Sequence, residues 1–226
     1  MTLRHVHAVA IALVVVGGLS LMRIDSSAAA AKSFAKAPPA KLVASSSGRR
    51  EIAVFAGGCF WGVEGVFEHV RGVVSAASGY AGGTAGTARY ETVSTGTTGH
   101  AEAVKVVFDP SQVSYADLLQ IYFSVVADPT TLNRQGPDTG SQYRTALFPT
   151  SAAQANVARA YIAQLTAQRV FSRPIVTKIE SSKPFYPAEA YHQNFMTRHP
   201  DYPYIVFNDR PKVEALKRIF PSNYRG

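Results

Sequence analysis

Cys59 and Trp61 are the only cysteine and the only tryptophan among the 226 residues of this chain, and a single residue separates them. They lie in residues 57–64, which read Gly-Gly-Cys-Phe-Trp-Gly-Val-Glu. A thiol can act as a nucleophile, and a tryptophan two residues away can form the wall of a pocket. The alternative is that Cys59 is a small buried hydrophobic residue, which is the more usual role of a lone cysteine.

The segments on either side of Cys59 predict its surroundings. Residues 51–56 are branched or aromatic and contain no breaker, which predicts a short buried strand. Apolar residues recur at three- and four-residue spacing over 63–70, which predicts a helix that ends at Gly72. Cys59 is therefore expected in the first helical turn, where unpaired N–H groups and the helix dipole favour negative charge. We predict a lowered pKa for this thiol, and hence a nucleophilic thiolate.

A carboxyl group is expected on the apolar side of a later strand. Glu102 alternates with Val104, Val106 and Phe108, so the four side chains are predicted to share one face. Partial burial there disfavours the charged carboxylate and raises its pKa, which suits a general acid near neutral pH. The alternative is an edge carboxylate that faces solvent.

The rest of the pattern mixes strands and helices without strict alternation. Further strands are predicted over 73–79, 144–148 and 174–180, and helices from 114, from 151, over 188–198 and over 213–220. The glycine-rich loop 80–90 lacks the Gly-Lys-Ser/Thr ending of a phosphate-binding loop, so we interpret it as a ligand-lining loop. The mixture predicts one two-layer α+β domain, with a mixed and mostly antiparallel sheet and helices packed against it.

The N-terminal residues are predicted to lie outside this domain. Residues 1–31 combine Arg4, the apolar run 8–22 and a small-residue Ala-x-Ala pattern, which is the order of a signal peptide. We expect an exported, periplasmic protein. The alternative is an uncleaved anchor in the inner membrane, with the domain facing the periplasm. Residues 32–50 are rich in Ala, Ser, Lys and Pro, which predicts a flexible linker before a folded domain over 51–226.

Charge and histidine spacing argue against two other kinds of site. The formal net charge is +8, but the positive residues are scattered, so we predict a solvated basic surface and no nucleic-acid partner. His69, His100 and His192 have no metal-ligand spacing and no cysteine companions, so no metal is predicted.

Four segments, in the right order, resemble the A-type peptide methionine sulfoxide reductases. They are Gly-Cys-Phe-Trp-Gly-Val-Glu at 58–64, Gly-His-Ala-Glu-Ala-Val at 99–104, Gly-Pro-Asp-Thr-Gly-Ser-Gln-Tyr-Arg at 136–144 and Tyr-His-Gln-Asn-Phe at 191–195. The resemblance covers nearly all of 51–199. It implies reduction of the S epimer of methionine sulfoxide to methionine, the repair of oxidised proteins, and a catalytic domain over 51–226.

The resemblance also assigns seven residues to one site. The nucleophile, the acid and two phenols that hydrogen-bond the sulfoxide oxygen fall on Cys59, Glu102, Tyr90 and Tyr143. The substrate-binding residues fall on Phe60, Trp61 and Asp138. These residue types suit the reaction, because a sulfoxide sulfur is a poor electrophile until a proton reaches its oxygen.

The reaction leaves a sulfenic acid on the nucleophile, which a thiol can reduce. Many relatives carry additional tail cysteines for this step, whereas this chain has none. The resemblance therefore implies no bound cofactor and an external thiol reductant: thioredoxin or a thioredoxin-like protein, glutaredoxin with glutathione, or dithiothreitol. The expected substrates are oxidised proteins or free methionine sulfoxide, and we expect a monomer.

Two other functions are compatible with the residues alone. One is a cysteine hydrolase in which His100 or His192 serves as the base for Cys59. The other is a module without catalytic activity that binds a methyl or aromatic ligand between Phe60 and Trp61. The hydrolase explains neither Trp61 nor Glu102.

Overall fold

A computed structural model describes residues 34–44, 48, 50–181 and 184–226. In chain order the strands are β1 (Glu51–Gly57), β2 (Val73–Ala81), β3 (Ala101–Phe108), β4 (Arg134–Gln135), β5 (Asp138–Thr139), β6 (Thr145–Phe148), β7 (Lys178–Ile179) and β8 (Tyr186–Pro187). Six of them form one sheet in the order β7-β6-β1-β3-β2-β8, while β4 and β5 form a separate hairpin. Within the sheet, only the β6–β7 pair is parallel.

The helices are α1 (Phe60–Glu68), α2 (Tyr90–Val93), α3 (Tyr115–Ile121), α4 (Ala152–Ala167), α5 (Phe195–Arg198) and α6 (Arg210–Ile219). Phe55 of β1 joins sheet to helices, with its ring centroid 4.8 Å from that of Phe67 in α1 and 5.9 Å from that of Tyr115 in α3. The opposite face of the sheet carries a smaller cluster of mostly alanine side chains, against which Phe185 packs. The predicted α+β class, with a mixed and mostly antiparallel sheet, is confirmed.

Local sequence signals predicted some elements better than others. The strands at 51–56 and 73–79 are confirmed, and Ser114 forms the expected capping box with Asp117 at the start of α3. The continuous helix predicted over 188–198 is wrong. Asn194 has φ +52°, a left-handed conformation that separates a 3-10 turn at Ala190–His192 from α5.

The predicted signal peptide or anchor over 1–31 lies outside the described residues. Part of the predicted flexible linker contacts the domain, which in the structure begins at Phe34 rather than at residue 51. Ala37 is 2% exposed, and its N–H donates to Ser124 Oγ at 2.9 Å. The Tyr161 hydroxyl donates to the Pro38 carbonyl at 2.6 Å, so side chains of the domain satisfy the backbone of this extended segment. None of the helices in the described part of the chain is both long and apolar enough to cross a membrane.

Candidate active site

A cavity of about 230 Å³ opens at the N-terminal end of α1. The seven residues that the sequence predicts for one site all line it: Cys59, Phe60, Trp61, Tyr90, Glu102, Asp138 and Tyr143. Two tyrosines that the sequence analysis missed complete the lining, Tyr202 and Tyr204. Residues from separate regions of the chain therefore meet at one place.

Cys59 lies at the turn between β1 and α1, where it is the N-cap residue of the helix. Gly58 before it has φ +91°, and a Cβ atom there would lie 2.5 Å from the Cβ of Gln135. The second glycine of the motif is therefore required both by its backbone conformation and by the close approach of the loop that contains Gln135. This turn directs Cys59 into the cavity that it lines.

The predicted lowering of the Cys59 pKa is wrong. Burial raises the pKa of this thiol well above its usual value, and the nearby carboxyl groups of Asp209 and Glu102 raise it further. The Trp61 backbone N–H and the Lys212 ammonium act in the opposite direction and do not outweigh burial. The helix terminus supplies partial charges only, whereas Cys59 is 9% exposed, so the resting group is a thiol.

The predicted rise in the pKa of Glu102 is confirmed. Glu102 lies on the central strand β3, is 2% exposed, and its pKa is raised to about 8, chiefly by burial. The Phe60 N–H donates to Glu102 Oε2 at 3.0 Å, which favours the carboxylate and limits the rise. An edge carboxylate that faces solvent is excluded. At neutral pH most molecules hold a proton on this group.

Two phenols reach the same cavity from different loops. Tyr143 ends the 3-10 turn Ser141–Tyr143, and Tyr90 begins α2. Burial raises the pKa of both phenols, so each keeps its proton and can donate a hydrogen bond. Glu189, which sequence reasoning missed, fixes the start of α2: its Oε1 accepts from the Tyr90 N–H at 3.0 Å and its Oε2 accepts from the Tyr80 hydroxyl at 2.8 Å.

The side chain of Trp61 forms an aromatic wall of the cavity, and neighbouring rings hold it in place. The indole ring stacks on Phe195 with centroids 3.8 Å apart and an interplanar angle of 6°. Its Nε1–H donates to His192 Nδ1 at 3.1 Å. The rings of Tyr202 and Tyr204 meet it edge-on. A rigid apolar surface of this kind suits a methyl group.

The C-terminal segment contributes two features that the sequence analysis missed, a hydrogen bond from a tyrosine to a carboxylate and a buried ion pair. The Tyr204 hydroxyl donates a short hydrogen bond to Asp138 Oδ2, which links this segment to the β4–β5 hairpin. Asp209 and Lys212 form a buried ion pair next to the first turn of α1. These residues follow the last recognisable motif at 191–195, so no local signal pointed to them.

Neither candidate histidine can act as the base for Cys59 as it is bonded here. His100 Nδ1 accepts from the Gly83 N–H, which places its proton on Nε2, 3.0 Å from the Thr84 carbonyl. His192 Nδ1 accepts from Trp61, so its remaining ring nitrogen also carries a proton. This argues against the cysteine hydrolase. Among the described residues no three His, Cys, Asp or Glu side chains come together as a metal site, and the predicted absence of metal stays a prediction.

Comparison with known proteins identifies the family. The family model described as peptide methionine sulfoxide reductase matches residues 51–224. The peptide methionine sulfoxide reductase MsrA 2 of Mesorhizobium japonicum is 58% identical over 174 residues, covering 77% of this chain and 89% of that protein. The corresponding MsrA of a Thermus thermophilus strain is 49% identical over 175 residues, covering 77% and 98%.

Solved structures of related enzymes support the same family. The reduced form of Mxr1 from Saccharomyces cerevisiae superposes with a TM-score of 0.61 at 32% identity, covering 72% of this chain and 92% of that one. Methionine sulfoxide reductase A of Corynebacterium diphtheriae gives 0.57 at 32% identity, covering 69% and 77%. The cavity is thus embedded in a fold and a sequence shared with these enzymes, and the chain belongs to the family of A-type peptide methionine sulfoxide reductases.

Proposed function

We propose that this chain reduces the S epimer of methionine sulfoxide, free or in oxidised proteins, with Cys59 as nucleophile and Glu102 as general acid. One observation carries the proposal: a buried thiol and a buried carboxyl group with raised pKa values line a single small cavity together with two phenols. A nucleophile, a proton donor and hydrogen-bond donors for an oxygen are what sulfoxide reduction requires.

In the first step the Cys59 sulfur, as thiolate, attacks the sulfoxide sulfur while Glu102 protonates the sulfoxide oxygen. A transient bond forms between the two sulfurs. The sulfur–oxygen bond of the substrate then breaks, the hydroxyl group bonds to the Cys59 sulfur, and the sulfur–sulfur bond breaks with its electron pair on the substrate sulfur, so that Cys59 becomes a sulfenic acid. The substrate leaves as the thioether methionine, reduced by two electrons. Glu102 is left as a carboxylate and regains its proton from solvent. Tyr90 and Tyr143 donate hydrogen bonds to the oxygen as charge develops on it.

Substrate selection rests on the aromatic wall. Phe60 and Trp61 hold the methyl group of the substrate, and Asp138, fixed by the Tyr204 hydroxyl, also lines the cavity. The sulfoxide sulfur is chiral, so a wall, a nucleophile and an acid in fixed positions accept one epimer. A module that only binds a methyl group has no use for a buried thiol beside a buried acid.

In the second step an external thiol reduces the sulfenic acid. The first thiol condenses with it to give a mixed disulfide on Cys59 and a water molecule, and a second thiol releases the free Cys59 and a disulfide. The chain contains no second cysteine to act as the resolving thiol. We therefore assign the role of reductant to a thioredoxin-like or glutaredoxin-like protein, with dithiothreitol as a substitute in vitro.

The reaction is tested with separated S and R epimers of methionine sulfoxide in the presence of dithiothreitol, with methionine as the product measured. We expect methionine from the S epimer only, and none from the Cys59→Ser variant. Equal rates on the two epimers, or full activity in Cys59→Ser, would contradict the proposed site.

We also propose export to the periplasm with removal of residues 1–31. The support is the charged, apolar and small-residue order of this segment. Protein recovered from its native host is then expected to start near Lys32. Intact-mass measurement checks this, and the mass of all 226 residues would instead favour an N-terminal anchor.

A further inference from the structure

A buried ion pair lies in the C-terminal segment, outside the residues assigned to the reaction. Lys212 Nζ donates to Asp209 Oδ1 at 2.9 Å, and the two side chains are 8% and 0% exposed. Lys212 is in the first turn of α6, and Asp209 immediately precedes this helix. Removing two charges from water is unfavourable, and replacement of such a pair by apolar residues is often neutral or stabilising. Stability alone therefore does not account for the pair.

The pair contacts the helix that begins after Cys59. A Cβ atom on Gly62 would lie 2.0 Å from Asp209 Oδ1 and 2.7 Å from Lys212 Nζ. Gly62 is the third residue of α1 and lies three positions after Cys59. The glycine that follows Trp61 in the motif therefore makes room for two charged groups against the first helical turn.

Ionisable groups from several neighbouring elements lie near Cys59, some of them lining the cavity. The carboxyl groups come from β3, β5 and the segment before α6, namely Glu102, Asp138 and Asp209. The phenols are Tyr90, Tyr143, Tyr202 and Tyr204. Within the described part of the chain, Lys212 is a cation that opposes them and lowers the pKa of the Cys59 thiol, while Asp209 raises it. Burial lowers the pKa of Lys212, but the charge and the hydrogen bond of Asp209, followed by Cys59 and Asp138, raise it above its usual value, so its ammonium keeps its charge.

We propose that the Asp209–Lys212 pair tunes the reactivity of Cys59 through two opposing charges placed against the first turn of α1. Lys212 supplies the positive charge that offsets the anionic sulfur, and Asp209 holds the ammonium against the first turn of α1 while limiting its effect. Both are positioning residues, since neither lines the substrate cavity. The inference rests on the proposed function, in which Cys59 reacts as a thiolate in a cavity otherwise lined by acids, phenols and apolar side chains.

The proposal gives the two members of the pair opposite effects. Lys212→Met removes the stabilising charge, so the pH midpoint for Cys59 ionisation should rise by about one unit or more. Asp209→Asn removes the opposing charge, so the midpoint should fall by a similar amount. The double variant loses both charges, and its midpoint should lie between those of the single variants. A role in packing alone would not reverse sign between the two residues.

The test is the rate of Cys59 alkylation by iodoacetamide between pH 6 and pH 11, followed by intact mass on the full chain. Below the midpoint, a shift of one unit changes the rate about tenfold at fixed pH. The midpoint, rather than the absolute rate, is compared, because a substitution can also change access to the cavity. This readout involves no sulfoxide, so it is independent of whether the proposed reduction occurs.

The matched control is Lys217→Met, the same change at an exposed position of α6, which should leave the midpoint unchanged. Shifts of the two single variants in the same direction, or no shift in either, would overturn the proposal. Lys212→Met leaves Asp209 buried without its cation and can fail to fold. In that case Asp209→Asn decides, because a midpoint that does not fall below the wild-type value overturns the proposal.

Discussion

At the residue scale, the proposed reaction depends on how many protons Cys59 and Glu102 share. Both groups are buried, and burial raises both pKa values, to about 8 for Glu102 and well above the usual value for Cys59. Attack requires a deprotonated sulfur together with a protonated acid, so the reactive pair holds one proton. At neutral pH the resting pair holds two, and one must leave before the thiolate can attack.

The general acid is tested by Glu102→Gln. The amide keeps an oxygen that can accept from the Phe60 N–H but cannot supply a proton, so we expect a rate loss of roughly 10²–10⁴. The assay is reduction of the S epimer at pH 7 with dithiothreitol. Glu68→Gln is the matched control, since Glu68 is a partly buried carboxyl group, also with a raised pKa, at the other end of α1. Near-native activity in Glu102→Gln would mean that another group or water supplies the proton.

The pH dependence follows from the same pair. Below about pH 8 both groups are protonated, so kcat/KM for the S epimer should rise about tenfold per pH unit. Above about pH 8 one proton has left and the rate should level off until the second proton dissociates. In Glu102→Gln the bend near pH 8 should be absent. The rate should instead level off at the higher pKa of the Cys59 thiol. A rate that falls as pH rises from 6 to 8 is incompatible with this assignment.

At the element scale, the site combines parts that local sequence signals reveal with parts that only tertiary structure brings together. The alternation along β3 predicted the burial of Glu102, and the strand and helix around the double glycine predicted the position of Cys59. The contact between Tyr204 and Asp138 joins residues 66 positions apart, and no periodicity indicates such a pairing. The Cys59 pKa was mispredicted because the helix dipole is local, whereas burial and the charge of Asp209 arise from the whole fold.

Gly62 tests the packing of α6 against α1. Replacing glycine by alanine inside a helix ordinarily stabilises it by roughly 0.5–1 kcal/mol. Here the new Cβ would lie 2.0 Å from Asp209 Oδ1, so Gly62→Ala should instead lower the free energy of unfolding by about 1–3 kcal/mol. Urea denaturation measures the difference. Gly86→Ala is the control, since a Cβ there has no heavy atom within 4 Å and should change stability little. A stabilised Gly62→Ala would mean that the ion pair does not approach α1 as described.

At the scale of the whole molecule, the proposed reaction requires one cysteine to complete a two-electron cycle with an external thiol. The C-terminal segment contributes Tyr202 and Tyr204 to the cavity and contains no thiol. Cys59 itself is 9% exposed, so the oxidised sulfur is sheltered inside a small cavity until a reductant reaches it. The fold therefore favours a sulfenic acid that persists, because the chain contains no second thiol and bulk solvent has little access to Cys59.

This persistence gives a prediction for a single turnover. Without reductant, one equivalent of the S epimer should yield one equivalent of methionine and a Cys59 that reacts with a 1,3-diketone trap for sulfenic acids. Dithiothreitol, glutathione with glutaredoxin, or a thioredoxin-like protein should then restore turnover. Monothiols alone should be slower, because each cycle needs two separate encounters with a thiol. The measurement is methionine release followed by mass spectrometry of the peptide that contains Cys59, with Cys59→Ser as the variant that should release no methionine. Stoichiometric methionine together with an unmodified thiol on Cys59 would mean that the electrons come from elsewhere, and Cys59 would then not be the nucleophile.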